Sequence, residues 1–169
     1  MVAYQASSLK EWFDSTPRSI LRFMLKTRNL TRKDIASILK IEKSQENGLF
    51  FPSDIQDILK SIDSSCSLCL YDGNSIIAFV LVYHTEYGTS YLEKIFVSST
   101  YRGNGIQNRL VKKALKLLSE YNVRLCYTMV NPHNEVSLSN FKSIGFTESW
   151  DTSYKSHNRK VLVYEVIGK

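Results

Sequence analysis

Cysteine, proline and glycine are scarce in this chain, and long apolar runs are absent. Only three of its 169 residues are cysteine, an odd number. That excludes a disulfide-stapled scaffold and fits a reducing compartment. Three prolines and seven glycines, with no low-complexity tract and no internal repeat, leave no obvious linker. A chain of this length makes one domain and buries about two-thirds of its unfolded surface without a metal or disulfide staple. The longest apolar run, Ile76 to Tyr83, has eight residues and is too short to span a bilayer. The opening segment MVAYQASSLKEWF has no apolar signal-peptide core, so a cytoplasmic location and no membrane partner are expected.

Neither charge sign is missing. Lys and Arg number 22 against 16 Asp and Glu, a net charge of +6, which suits an anionic partner without naming one. The basic residues are scattered and carry no aromatic–basic motif of an RNA-binding module, so a nucleic-acid partner is not expected.

Hydrophobic periodicity organises what is present. Residues 1–19 read as an N-terminal extension, with Leu9, Trp12 and Phe13 at helical spacing before Thr16-Pro17 breaks the pattern. It would pack on the domain or on a second copy, as in a homodimer. Residues 20–169 read as a single domain. Ile20 to Lys26 reads as a strand. Thr31 can cap a helix, with Asp34 at the third position and Ile35, Ile38, Leu39 and Ile41 on its apolar face. Ser53 can cap a second helix carrying Ile55, Ile58, Leu59 and Ile62. Asp72-Gly73 between Cys66–Tyr71 and Ser75–Tyr83 signals a hairpin, whose apolar second arm reads as a central strand covered on both faces. Tyr91 to Val97 is a further strand and Asn104 to Glu120 a helix. Val123 to Val130 is the next strand, Glu135 to Ile144 a helix ended by Gly145, and Lys160 to Ile167 a last strand. Helices alternating with strands around a central hairpin imply a mixed sheet with helices on its faces.

The stretch VSSTYRGNGIQNRL, Val97 to Leu110, carries the chemistry. A β-branched strand ends, a turn with Gly103 and Gly105 follows, and a helix begins at once. The unpaired N–H groups of such a helix start seat a phosphate or pyrophosphate. A P-loop is excluded, because Ile106-Gln107 follows Gly105 where Lys-Ser/Thr is required. The dinucleotide fingerprint is excluded by Asn108 at its third glycine position. A pyrophosphate held mostly by main chain remains, beside the plainer alternative of a helix start with no ligand.

Arg102-Gly103-Asn104-Gly105-Ile106-Gln107 resembles motif A of the GNAT superfamily of N-acetyltransferases, Arg/Gln-x-x-Gly-x-Gly/Ala. YLEKIFV before it looks like that family's fourth strand. Asn131-Pro132-His133-Asn134 through Phe141-Lys142-Ser143-Ile144-Gly145-Phe146 resembles its motif B, Asn…Tyr-x-x-x-Gly-Phe. The element order agrees from about residue 20 to 167, and the specific matches lie within residues 91–146. The resemblance implies an α/β fold with a mixed, mostly antiparallel central sheet flanked by helices and a splayed central strand pair. It implies transfer of an acetyl group from acetyl-CoA to a primary amine, on a small molecule or a peptide, by direct attack in a ternary complex without a metal.

By the same resemblance, main chain at Ile95, Phe96 and Val97 holds the pantetheine and polarises the thioester. Arg102, Gly103, Asn104, Gly105, Ile106, Gln107 and Asn108 form the pyrophosphate turn, and Asn134 and Phe141 touch the cofactor. Glu93 matches a position where many members keep a general base. Its alternative is a carboxylate paired with Lys94 or Arg124. Asn134 can also cap the helix from Glu135. Two positions depart from the family. Gln107 stands where Gly or Ala is usual, and Phe141 replaces the Tyr whose hydroxyl protonates the leaving thiolate. Tyr127 and His133 are nearby candidates for that acid, and an acyl-CoA-binding regulatory module without turnover is the rival reading. The linker Tyr83 to Gly88 is a candidate wall of the acceptor pocket. Lys155 to Lys160 reads as a basic turn. Cys66 and Cys69, three apart, read as two semi-buried thiols on opposite faces rather than metal ligands.

Overall fold

The computed structural model describes residues 25–44, 52–154 and 157–166. The expected extension, 1–19, and most of the first expected strand lie outside them. Among the described residues seven strands form one sheet in the order β1-β2-β3-β4-β5-β7-β6. They are β1 (Lys26–Asn29), β2 (Leu68–Asp72), β3 (Ser75–His84), β4 (Thr89–Val97), β5 (Leu125–Val130), β6 (Thr147–Tyr154) and β7 (His157–Glu165). Every neighbouring pair is antiparallel except β4 and β5. Among the described residues the α-helices are α1 (Ile35–Ser44), α2 (Ile55–Asp63), α3 (Ile106–Glu120) and α4 (Glu135–Ile144). Among the described residues no helix is long and apolar enough to cross a membrane.

Residues Ala78 to Val82 on β3 have no exposed surface, as a strand covered on both faces requires. One face packs against α3, through Ile106, Leu110, Val111, Ala114, Leu115 and Leu118. The other packs against α1 and α2 through Ile38 and Ile58, with Phe79 stacked on Phe96. Cys66 belongs to the first cluster and Cys69 to the second, so the two thiols do lie on opposite sides. Burial pushes both up to about 11, which leaves them protonated near neutral pH.

Several local expectations shift. Of the strand expected from Ile20 to Lys26, residues 20–24 lie outside the described residues, Leu25 is not in a strand, and β1 holds Lys26 and runs on to Asn29. Asp34 accepts from both the N–H and the hydroxyl of Thr31, completing the expected cap before α1. Ser53 does not cap α2. Asp54 does, accepting from the Gln56 N–H at 2.9 Å. Strand β6 had no signal in the sequence, since all but one of its residues are exposed and apolar alternation is missing. Strand β7 begins at His157, inside what reads as a basic turn; pairing with β6 extends it. Lys155 and Ser156 lie outside the described residues.

Candidate functional site

The site is made by strands that part. β4 and β5 pair only over Thr89–Tyr91 and Leu125–Tyr127. Beyond Tyr91 the two diverge, and the Thr128 hydroxyl donates to the Leu92 carbonyl at 2.8 Å, bridging the gap where the ladder stops. β4 stays paired to β3 as far as Val97. Alternate main-chain groups on its other edge therefore face the opening without a strand partner.

A cleft of about 750 Å³ occupies this opening. Its walls are Ile95, Phe96 and Val97 of β4, Arg102, Gly103 and Gly105 of the turn, the start of α3, the α4 cap Asn134, and Val136, Ser137 and Asn140 of α4. Gly103 and Gly105 have φ of +78° and +68°, the left-handed region that glycine enters at little cost. A Cβ built at either meets nothing within 4 Å, so backbone conformation rather than crowding requires glycine there. Arg102 folds back, Nε donating to the Val97 carbonyl at 3.0 Å, and ties the turn to the strand.

Gln107 Oε1 accepts from Asn140 Nδ2 at 3.1 Å, while its Nε2 is buried without a partner. Its side chain thus spans from α3 towards α4 and leaves a donor unused at the cleft. Asn108 reaches Ser143 at 3.1 Å. Asn134 caps α4 by accepting from Ser137 N–H. Of the residues expected around the cofactor, Asn104 and Phe141 do not line the cleft. Asn104 donates to the carbonyls of Tyr101 and Arg102, bracing the turn. Phe141 is 2% exposed and packs edge-on against Phe146.

A second cavity, of about 160 Å³, adjoins the first, sharing Ile95, Asn134 and Ser137 with it. Glu93, Tyr91, Phe141, Tyr154 and Arg159 are among its walls. Register explains why Glu93 is here. Leu81 pairs with Lys94 and Val82 with Leu92, so Glu93 is an extra residue, a β-bulge without a partner on β3. Bulges re-aim side chains in this way. Burial raises the Glu93 carboxyl above the ordinary range, against the opposing pull of nearby Ser53 and the charge of Lys94. Its Oε2 is buried without a hydrogen-bond partner.

Neither expected ion pair forms at Glu93. Lys94 Nζ lies 3.0 Å from Glu42 Oε1 on α1 and donates to Ser53 Oγ at 2.8 Å. Arg124 instead reaches the Tyr87 carbonyl at the closed end of the strands. Ser53 completes a buried knot, its N–H and hydroxyl donating to the two oxygens of fully buried Glu42 at 2.6 and 3.0 Å. This knot joins α1, the start of α2 and β4 under the cavity. None of it was visible as a motif, because Glu42, Ser53 and Lys94 are far apart in sequence.

Tyr83 to Gly88, expected as an acceptor wall, do not line this cavity. Tyr83 packs edge-on against Tyr91 instead. Tyr127 also packs on Tyr91, and His133 lines a separate outer cleft. Tyr154 and Arg159 were missed. Tyr154 ends β6, which carried no hydrophobic signal, and Arg159 sits in a basic run that resembles any solvated turn. Among the described residues no cluster of His, Cys, Asp and Glu is arranged to hold a metal ion.

Comparison with known proteins places this geometry. The family model described as acetyltransferase (GNAT) family matches residues 33–146. Among solved structures, Ard1 from Thermoplasma volcanium superposes with a TM-score of 0.75 at 18% identity, over 85% of this chain and 99% of that one. Arabidopsis thaliana Naa50, in complex with the bisubstrate analogue CoA-Ac-MVNAL, gives 0.70 at 18% identity over 84% and 99%. The ribosomal-protein-S18-alanine N-acetyltransferase of Escherichia coli gives 0.63 at 16% identity over 83% and 91%. No curated protein matches the chain by sequence. Strands parted at a glycine turn, with a family model covering most of the chain, make this protein a member of the GNAT acetyltransferase family.

Proposed function

We propose that this chain transfers an acetyl group from acetyl-CoA to a primary amine, by direct attack in a ternary complex. One observation carries the reading: the cleft at the parted edge of β4 meets the Glu93 cavity at Ile95, Asn134 and Ser137. Donor and acceptor held in these two spaces would touch there. Acetyl-CoA, when bound, supplies an acetyl group activated as a thioester.

The chain's own groups do the rest. Main-chain N–H groups at the start of α3, from Gly105 to Asn108, are free to hold pyrophosphate oxygens. The unused donor of Gln107 suits the same anion or the adjoining arm. Edge amides of Ile95 to Val97 orient the thioester carbonyl and stabilise charge growing on its oxygen, worth a few kcal/mol (about 3). An alkyl ammonium has a pKa of about 10.4 and must lose a proton before it can attack. Glu93 takes that proton, and its raised affinity for protons suits the task. Phe141 has no proton to give, and a thiol of pKa about 8.5 needs little help leaving, so solvent returns the sulfur's proton. Three cysteines standing as free thiols suit a cytoplasmic setting.

The absent hydroxyl at Phe141 is also what favours the rival, an acyl-CoA binder without turnover. Thermal shift and thiol release separate them. Acetyl-CoA should raise the melting temperature under either reading. Release of free CoA thiol with a panel of amino acids, peptides and polyamines is expected only of the enzyme; binding with no turnover on any amine would establish the binder.

A further inference from the structure

Where paired strands part, main-chain groups lose their ladder partners, and a buried one must find another. β4 and β5 last pair at Tyr91 and Tyr127, and the next residue of β4, Leu92, is only 1% exposed. Its carbonyl accepts from the Thr128 hydroxyl at 2.8 Å. Thr128 follows the last paired residue of β5 and is itself 3% exposed, so the contact is buried from both sides.

The Leu92 carbonyl and the Glu93 N–H belong to one planar peptide unit, so holding the oxygen fixes the plane from which Glu93 leaves the strand. That plane lies in the bulge, where Glu93 has no partner on β3. A bulge disrupts the ladder at its extra residue, whose direction then depends on whatever else holds the backbone there. One oxygen of the carboxylate, Oε2, has no hydrogen-bond partner among the described residues, and the adjacent Lys94 is paired with Glu42. Thr128 and Glu93 line the same inner cavity.

We propose that Thr128 is a positioning residue: by holding the Leu92 carbonyl, its hydroxyl sets the bulge that aims the Glu93 carboxylate at the acceptor amine. Leu92 engages the hydroxyl proton, so Thr128 orients the base and takes no proton itself. This rests on Glu93 as the base in the reading above and adds the group that orients it. Removing the hydroxyl leaves the carbonyl buried without its donor and frees the peptide unit to turn. A shift of about 1 Å between reacting groups can cost about a hundredfold in rate. Thr128 grips neither coenzyme nor acceptor in this role, so the loss falls on turnover rather than on binding.

Thiol-release kinetics of the full chain, on an amine that the wild type acetylates, test this. Thr128→Val replaces the hydroxyl by a methyl, and Thr128→Ser keeps it. Thr128→Val should lower kcat about tenfold or more while the KM for acetyl-CoA stays within about twofold. Thr128→Ser should keep most of the wild-type rate. In the Glu93→Gln background, Thr128→Val should cost almost nothing further, because no base is left to aim. The acetyl-CoA thermal shift reports folding. If Thr128→Val does not fold, Thr128→Ala, which leaves room for a water at the Leu92 carbonyl, is the second hydroxyl-free variant and should show the same split. An unchanged kcat without the hydroxyl, a serine variant as slow as the valine one, or an equal fall in the Glu93→Gln background would overturn the proposal while leaving Glu93 as base. A Glu93→Gln variant with the rate and pH profile of the wild type would remove the base itself, and turnover of no amine would remove the enzyme reading; the proposal falls with either.

Discussion

On the donor side of the cleft, the strand edge, the turn and the helix start all fall between Ile95 and Asn108, one unbroken stretch of chain. On the acceptor side, Ser53, Glu93, Asn131, Tyr154 and Arg159 come from five separate places in the sequence. On the proposed reading the donor side works mainly through main chain, so it needs glycine and a helix start but few particular side chains. The proposed acceptor side would work through side chains whose positions are held by a buried ion pair and a bulge. The contrast explains how a fold can keep one donor while its acceptors vary: the first half tolerates substitution that preserves backbone, and the second changes with each side chain.

Breaking the acceptor-side knot should have the largest effect. Lys94→Met leaves Glu42 charged and fully buried without its cation, and should cost about 3–5 kcal/mol of stability in urea unfolding. Adding Glu42→Leu should recover most of that loss, because the uncompensated charge is then gone. Failure of the double variant to recover would show that the pair is not what anchors β4 to the two helices.

Glu93→Gln comes next. If Glu93 is the base, kcat should fall about 100-fold, which is about 2.7 kcal/mol of barrier, and the rising limb of rate against pH should flatten. Stability gives a second readout. A carboxyl whose pKa is raised by folding favours the protonated state, so the native protein loses stability as pH rises from the ordinary glutamate value of 4.5 through the raised one. Glu93→Gln removes that loss. The variant should therefore gain on the wild type across this window and hold its lead above it. A constant difference in stability from acid to neutral pH would contradict a buried, titrating Glu93.

Gly105→Ala probes the donor side. An added methyl meets no atom within 4 Å, so its cost is the left-handed backbone alone, about 1–2 kcal/mol. Acetyl-CoA affinity should fall with it, read by calorimetric titration. Unchanged affinity would argue that the turn does not grip the pyrophosphate. Phe141→Tyr should do least. The ring borders the inner cavity, so a hydroxyl there can face the open space, and stability should stay within about 1 kcal/mol. A rate gain would show that a missing acid limits turnover; no gain would show that solvent already serves.

Legibility followed the same division. The capping of α1 by Thr31 and Asp34, the Asp72-Gly73 hairpin, the all-apolar β3 and the glycine turn before α3 could all be read, because each depends on residues that are neighbours in sequence. Glu93 could be singled out as a carboxylate among apolar residues, but not its release from Lys94, which needed Glu42 to arrive from another helix. Ser53 looked like a helix cap, and tertiary contact with Glu42 and Lys94 overrode that local preference. Strand β6 escaped notice because an exposed edge strand has no buried face to impose alternation.

By itself the sequence determined the strand–turn–helix proposed to seat a pyrophosphate, since positive φ, helix termini and hydrophobic period are properties of a few consecutive residues. Only the tertiary structure decided where β4 and β5 part, that Glu93 sits in a bulge, and that it lines one cavity with Tyr154 and Arg159. Those outcomes depend on strand register and on charges buried together from distant segments, and neither is encoded in any single stretch of chain.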